Sequence, residues 1–121
     1  MRRFWPGPLT LVLRAKPGIS ELVRAGALGL GIRMSSDKFA QALVENLGEA
    51  ITSTSANRSG KKPLINGEEI EIEFGGELDL IVDAGHREGK ASTVLDLTAL
   101  KPKIIRKGQI KLDEIITRST K

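Results

Sequence analysis

The sequence of 121 residues contains no cysteine, no tyrosine and a single histidine, His86. The absence of cysteine excludes disulfide bonds, iron–sulfur clusters, thiolate zinc sites and cysteine nucleophiles. A lone histidine excludes metal centres built on several histidines and leaves little room for a Ser-His-Asp triad. One tryptophan and three phenylalanines are too few for a sheet that binds RNA by stacking bases on aromatic rings.

Long apolar runs are also missing. No segment approaches the roughly 18 apolar residues that a membrane-spanning helix requires. The basic first residues are followed by the rigid FWPGP segment at residues 4–8 rather than by the apolar helix of a signal peptide. The length allows one domain at most. We therefore expect a soluble, cytoplasmic protein in which residues 1–121 belong to a single domain.

The net charge of +4 is unevenly distributed along the chain. Residues 1–24 carry five basic and one acidic side chain, residues 25–100 carry seven and twelve, and residues 101–121 carry seven and two. The seven carboxylates of residues 68–83 are interpreted as a solvated face, with a metal-binding cluster as the alternative. The two basic ends favour an anionic ligand or nucleic acid if the fold brings them together.

Short apolar and β-branched runs alternate with short amphipathic segments, which predicts an α/β domain. A stripe of Phe39, Leu43 and Leu47 that is closed by Gly48 indicates the longest helix. We expect helices at residues 19–25, 39–47, 68–74 and 110–116, strands at residues 9–13, 28–34, 50–54, 78–82, 91–97 and 103–106, and a loop at residues 55–67.

The TSTSAN segment at residues 52–57 follows a predicted strand, and Arg58, Lys61 and Lys62 add positive charge after it. Small hydroxyl and amide side chains let backbone N–H groups approach an anion as a nest. An ordinary turn is the alternative interpretation. The spacing excludes a P-loop.

Two arginines lie at the ends of predicted strands. Arg33 ends a glycine-containing apolar strand, and because an unpaired guanidinium is costly to bury, it requires an anionic partner: Asp37 or a ligand carboxylate or phosphate. Arg106 is either a phosphate contact or a surface charge. Ser92 opens a strand and presents a hydroxyl, or serves only as a strand residue. Trp5 either fills the core or lines a ligand pocket.

Taken together, these segments resemble one family. The sequence resembles the YrdC-like family, the threonylcarbamoyl-AMP synthases, in the order and spacing of these motifs along essentially the whole chain. The motifs that carry the resemblance are FWPGPLT at residues 4–10, GIR at residues 31–33, TSANRSG at residues 54–60, STVLD at residues 92–96 and IRKG at residues 105–108.

The resemblance implies a twisted mixed sheet with flanking helices and a concave, positively charged groove. It implies that L-threonine, bicarbonate and ATP, with Mg²⁺, give threonylcarbamoyl-AMP and pyrophosphate for the modification of tRNA. Some family members bind RNA, so tRNA or double-stranded RNA is a candidate partner. By this resemblance Arg33, Ser53 and Ser92 bind threonine, whereas the nucleotide is bound by Ser55, Asn57 and Arg106.

The sequence departs from the family pattern at several positions. Gly29 stands where a threonine is usual, Ser35 where a proline is usual, and the Lys62-Pro63 pair where Pro-Ser is usual. Residues 1–3 do not match the family's Lys-x-Arg motif for ATP. We therefore expect a partial domain, from a fragment, a split gene or a remnant, whose activity is incomplete.

Three functions remain open on these grounds. The first is a synthase domain, which dimerises or binds a partner that supplies the missing N-terminal half. The second is a non-catalytic nucleotide- or RNA-binding module. The third is a carbamoyltransferase relative, disfavoured because no zinc-finger or acylphosphatase segment is present.

Overall fold

The computed structural model describes residues 3–87 and 89–116 of the chain. Contacts divide the chain into two compact units, Met1–Ile51 with Lys90–Lys121, which we call the sheet unit, and Thr52–Gly89, the loop–helix unit. In chain order the elements are β1 (Leu9–Arg14), α1 (Glu21–Arg24), β2 (Gly29–Ile32), α2 (Lys38–Leu47), α3 (Gly67–Phe74), β3 (Thr93–Asp96), β4 (Lys103–Arg106) and α4 (Leu112–Ile116).

The sheet unit is built on a four-stranded mixed sheet with strand order β2-β1-β3-β4. The strand β1 pairs with β2 in antiparallel and with β3 in parallel orientation, and β4 pairs antiparallel with β3. A parallel β1–β3 pair needs a long crossover connection, and here the chain between them includes α1, β2, α2 and α3. The predicted α/β class and mixed sheet are therefore confirmed.

The core lies on one face of this sheet. Alternate residues of a strand point to opposite faces, and Leu9, Leu11 and Leu95 are buried together with Ile110. The indole of Trp5 packs against this cluster, and its Nε1 donates a hydrogen bond of 2.7 Å to the Leu9 carbonyl. In the structure, Trp5 is therefore a core residue with its polar atom satisfied.

Side-chain caps fix the helix boundaries. Asp37 precedes α2, and its Oδ1 accepts a hydrogen bond of 2.9 Å from the Ala40 amide. The helix ends at Gly48, which has a positive φ of 68° that costs glycine little. Asn66 caps α3 in the same way, by accepting from the Glu69 amide. The predicted helices at residues 39–47 and 68–74 are thus confirmed.

Two strand predictions are wrong. Residues 50–54 and 78–82 form no strand in the structure. Both segments are apolar enough to be strands, yet a strand is stabilised by the hydrogen bonds of a neighbouring strand. Leu80 is 78% exposed and Ile51 is also exposed, so neither segment packs into the core among the described residues. Their composition therefore did not determine their conformation.

A buried hydroxyl joins β3 to the chain that follows β4. Thr93 is 0% exposed, and its Oγ1 donates to the Ile110 carbonyl at 2.7 Å. The same oxygen accepts from the amides of Gly108 and Ile110 at 3.1 and 3.0 Å. Three backbone groups are thereby satisfied without a strand partner.

Among the described residues, no helix is long and apolar enough to cross a membrane. The basic residues Arg2, Arg118 and Lys121 of the two chain ends lie outside the described residues. The apolar stripe of α2 is partly exposed, with Phe39 at 56%. The dimer expected from the sequence stays a prediction.

Candidate functional site

The face of the sheet opposite the core carries polar side chains and glycines. On β1 the core residues Leu9 and Leu11 alternate with Thr10, and β2 contributes Gly29 and Gly31. Ser92, immediately before β3, has the opposite parity to the buried Thr93. We call this surface the site face.

The strand register places two arginines in one row across the site face. Ile32, the last residue of β2, lies opposite Leu11, and Arg33 follows it directly, so Arg33 adjoins Thr10, the residue before Leu11 on β1. Thr10 in turn lies opposite Val94, and Val94 lies opposite Arg106. The row, which we call the guanidinium row, crosses three strand spacings of about 4.8 Å, so the backbones of its two arginines lie about 14 Å apart.

One end of the row is held by a hydrogen-bond network. Arg106 Nε donates to the Ser92 carbonyl at 3.1 Å, and Arg106 Nη2 donates to Ser92 Oγ at 2.9 Å. Ser92 Oγ also lies 2.8 Å from Thr10 Oγ1. Ser92 is 7% exposed whereas Arg106 is exposed. The guanidinium is thus fixed along one edge, and its remaining N–H groups are available to an anion.

Arg33 lies at the other end and is exposed. No hydrogen bond or ion pair joins it to any other residue within 3–87 and 89–116. The alternative that it pairs with Asp37 is therefore not realised, and the Asp37 carboxylate caps α2 instead. The expectation that Arg33 requires an anionic partner is wrong, because the side chain is exposed and its guanidinium is solvated. The guanidinium is available to a ligand.

The two glycines of β2, Gly29 and Gly31, have different structural roles. A Cβ on Gly29 would lie 2.7 Å from Val12 Cγ1 and 2.9 Å from Thr98 Cγ2, so neighbouring side chains close over it. A Cβ on Gly31 would meet only Thr10 Cγ2, at an ordinary 3.5 Å. Close packing therefore explains Gly29, whereas Gly31 leaves the site face open beside Thr10.

A shallow, open depression of about 440 Å³ adjoins the Arg106 end of the row. Its lining includes two lysines, and Gln109 Nε2 donates to the Lys90 carbonyl at 2.7 Å to hold its two sides together. The depression is lined by Lys90, Ala91, Lys107, Gly108 and Gln109. The depression, whose lining residues directly precede Ser92 and follow Arg106 in the chain, therefore carries positive charge suited to phosphate.

Asp96 lies at the end of β3. The pKa of Asp96 is lowered because the hydroxyl and the amide of Thr98 both donate to its Oδ1. The charged carboxylate is thereby used to close the turn after the strand.

The three other predicted site residues, Ser53, Ser55 and Asn57, belong to the loop–helix unit. Ser53 and Ser55 are exposed and lie outside regular structure. Asn57 Nδ2 donates to the Arg58 carbonyl at 3.0 Å, while Asn57 Oδ1 is buried and has no hydrogen-bond partner among the described residues. A buried acceptor without a donor is costly, so this amide oxygen is suited to receive a donor from a ligand or water.

The sequence context of Arg58 predicts a free positive charge in this loop, but in the structure the Arg58 guanidinium is paired. Its guanidinium forms ion pairs with Glu73 and Glu77 and lies 4.4 Å from the centre of the Phe74 ring. The pKa of Arg58 is raised, chiefly by its hydrogen bond to Glu77 and then by that to Glu73. The guanidinium therefore fastens the loop to α3, and part of the acidic block of residues 68–83 is its partner.

This clamp predicts a pH dependence within the loop–helix unit. The hydrogen bond from Arg58 lowers the pKa of Glu77, so its stabilising effect is present above the ordinary glutamate pKa and is lost as the pH falls through the lowered value. In a side-chain NMR titration, Arg58→Gln is expected to return the pKa of Glu77 to its ordinary range. An unchanged Glu77 titration in this variant would contradict the clamp.

Sequence reasoning missed three residues of the site face. Thr10 was seen only as part of a strand and of a motif, Lys107 only as part of the IRKG motif, and Lys90 only as a charge. The alternation of side chains along β1 and β3 could have identified Thr10, because it separates the residues of the site face from those of the core. The lysines carry no such signal, since only the fold brings Lys90 beside Lys107.

Residues 1–108 match the Sua5/YciO/YrdC family, which is described as telomere recombination. The threonylcarbamoyl-AMP synthase of Pyrococcus abyssi is 37% identical over 115 residues, which make up 94% of this chain and 34% of that protein. The threonylcarbamoyl-AMP synthase of Bacillus subtilis is 39% identical over 117 residues, or 95% of this chain and 34% of that protein. This chain thus spans about a third of the length of these curated relatives.

Solved structures agree with the sequence comparison. The crystal structure of P. abyssi Sua5 complexed with L-threonine superposes with a TM-score of 0.86 at 37% identity, covering 94% of this chain and 34% of that one. The crystal structure of E. coli YciO gives a TM-score of 0.81 at 33% identity, covering 92% of this chain and 55% of that one. The family match, the identities and the shared fold together show that this chain belongs to the Sua5/YciO/YrdC family.

Proposed function

We propose that this chain carries the threonine- and nucleotide-binding sheet face of a threonylcarbamoyl-AMP synthase. Such an enzyme converts L-threonine, bicarbonate and ATP into threonylcarbamoyl-AMP and pyrophosphate, for use in tRNA modification. The observation that carries the proposal is the guanidinium row, in which Arg33 and Arg106 flank Thr10 on one open face. The curated relatives named threonylcarbamoyl-AMP synthase support it.

The two ends of the row suit two different anions. Arg33 is exposed, and a guanidinium binds a carboxylate with paired hydrogen bonds. We assign it the carboxylate of threonine, a ligand that one related structure contains. Arg106 is fixed along one edge by Ser92 and adjoins the basic depression. We assign it the phosphates of the nucleotide, with the Ser92 hydroxyl between the two ligands.

The loop–helix unit supplies the remaining assignments. Ser53 is assigned to threonine, and Ser55 and Asn57 are assigned to the nucleotide. The buried Oδ1 of Asn57 supports this role, because this acceptor has no hydrogen-bond partner among the described residues.

The proposed reaction requires no covalent bond between the protein and its substrates. The amino group of threonine takes up bicarbonate with loss of water, and an oxygen of the resulting carbamate attacks the α-phosphorus of ATP while pyrophosphate leaves. The reactants carry several negative charges, so alignment and charge neutralisation supply the rate enhancement. Arg33 and Arg106 hold the two anions in place, and Gly31, which has no side chain, leaves room for the ligand beside Thr10.

The part of the chain that the structure describes does not form a metal centre of its own. It contains no group of three histidine, aspartate or glutamate side chains that could hold a metal ion. Mg²⁺ is commonly held by substrate phosphates and water, so we assign it to the nucleotide.

A nucleotide- or RNA-binding module without catalysis is the second candidate. The basic depression with Lys90 and Lys107 favours it. Binding to a nucleic-acid backbone weakens steeply with salt, in proportion to the phosphates contacted. Such binding would also be independent of threonine.

Calorimetric titration of the 121-residue chain with L-threonine and with ATP tests the proposal, followed by measurement of pyrophosphate release from ATP with bicarbonate present. We expect Arg33→Ala to weaken threonine binding at least about tenfold, because a charge-assisted bidentate contact is lost. Arg14→Ala is the matched control, since Arg14 lies on β1 outside the row and its Nε only donates to the Thr98 carbonyl.

Threonine binding that is equally weakened by both variants would contradict the assignment of Arg33. Binding of ATP or tRNA without any effect of threonine would favour the second candidate. Binding of neither threonine nor ATP would overturn the proposal.

A further inference from the structure

We infer that Thr10 is a positioning residue, whose hydroxyl fixes the hydrogen-bonded pair of Ser92 and Arg106 on the site face. This inference rests on the proposed function, because its consequence is tighter binding of the anion at Arg106. Thr10 belongs to neither the threonine nor the nucleotide assignments above. Its hydroxyl lies 2.8 Å from Ser92 Oγ and is half-buried on β1.

Hydrogen-bond accounting shows what Thr10 adds. Ser92 Oγ accepts one hydrogen bond from Arg106 Nη2, and a serine hydroxyl has one further lone pair and one hydrogen. When Thr10 donates to Ser92, both lone pairs are used and the Ser92 hydrogen is left for a ligand. When Ser92 donates to Thr10, that hydrogen is consumed. Either oxygen can be the donor, so an anion beside Ser92 selects the arrangement in which Thr10 donates.

The location of Thr10 on β1 explains how its hydroxyl restrains Ser92. In the guanidinium row it lies between Arg33 and Val94. The β-branched Thr10 has few χ1 rotamers in a strand, and its Cγ2 points toward the open position of Gly31. The Thr10 hydroxyl is therefore held by a rigid strand, whereas Ser92 lies one residue before β3 begins. A donor held by the strand restrains the Ser92 side chain and, through it, Arg106.

The test compares Thr10→Val, which keeps the shape but removes the hydroxyl, with Thr10→Ser, which keeps the hydroxyl. The first readout needs no ligand: NMR measures the rotation of the Arg106 guanidinium about its Nε–Cζ bond, which the Nη2–Ser92 contact slows. We expect Thr10→Val to speed this rotation about fivefold, toward the rate of Ser92→Ala, and Thr10→Ser to stay within about twofold of the original chain.

The second readout is the affinity for ATP by calorimetry. We expect a loss of about fivefold for Thr10→Val and rescue by Thr10→Ser, with similar melting temperatures for both variants. A structural role alone would change the melting temperature without changing the guanidinium rotation.

Unchanged rotation in Thr10→Val would overturn the inference, as would a Thr10→Ser variant that rotates as fast as Thr10→Val. If the original chain binds no ATP, the proposed function fails, and the ligand-free rotation still decides whether Thr10 positions Arg106.

Discussion

Replacement of Thr93 by valine is expected to lower the free energy of unfolding of the sheet unit by about 3 kcal/mol. Valine fills nearly the same space, but it removes the oxygen that serves three backbone groups of Gly108 and Ile110. The amide and carbonyl of Ile110 would then be buried without partners, because Ile110 is 8% exposed, whereas Gly108 is exposed to solvent. Chemical denaturation of both chains, followed by circular dichroism, measures the difference.

Thr93→Ser is the control for the lost oxygen. Serine keeps the three hydrogen bonds and loses one buried methyl group, so we expect a cost of about 1 kcal/mol. If valine and serine at this position cost the same, packing rather than the hydroxyl holds β3 to the chain after β4.

Gly108→Ala is expected to destabilise the sheet unit by about 3 kcal/mol and to release the end of β4 from β3. An added Cβ would overlap the backbone of Ala91, Ser92 and Thr93. Backbone atoms in a sheet cannot move aside as a flexible side chain does, so the strands must separate. Loss of amide protection in residues 103–106 by hydrogen exchange, together with a lower melting temperature, measures the effect.

The matched control is Gly76→Ala, because a Cβ on Gly76 meets no atom within 4 Å. We expect this variant to change stability by no more than about 0.5 kcal/mol. If the chain binds ATP as proposed, Gly108→Ala also weakens that binding, because Arg106 lies two residues earlier and depends on the same strand pairing. A Gly108→Ala chain with the original stability would show that the close approach of these backbones is not required.

The helices and the central strands could be predicted from the sequence because their signals are local. Asp37 and Gly48 bound a stripe of three apolar residues, and the helix follows from capping chemistry that involves only a few neighbours. The strand at Lys103–Arg106 was predicted with its observed bounds from a short apolar run between a proline and a glycine. The motifs that indicate the family are equally local, because each lies within a few consecutive residues.

Residues 50–54 and 78–82 could not be assigned in this way. Their composition favours strands, but a strand forms only where another strand supplies hydrogen bonds, and composition says nothing of the neighbour. The same limit applies to Arg58, whose charge next to Lys61 and Lys62 indicates an anion site. Its partners Glu73 and Glu77 are 15 and 19 residues further along the chain and become neighbours of Arg58 only when the chain folds.

By itself, the sequence determined the α/β class, the helices α2 and α3 and the family, and it predicted Arg33, Ser92 and Arg106 as site residues. Only the tertiary structure decided that Arg33 and Arg106 share one row with Thr10 between them. The physical reason is strand register: the hydrogen bonds between strands fix which residues face each other, and a shift of one residue would turn every side chain to the opposite face.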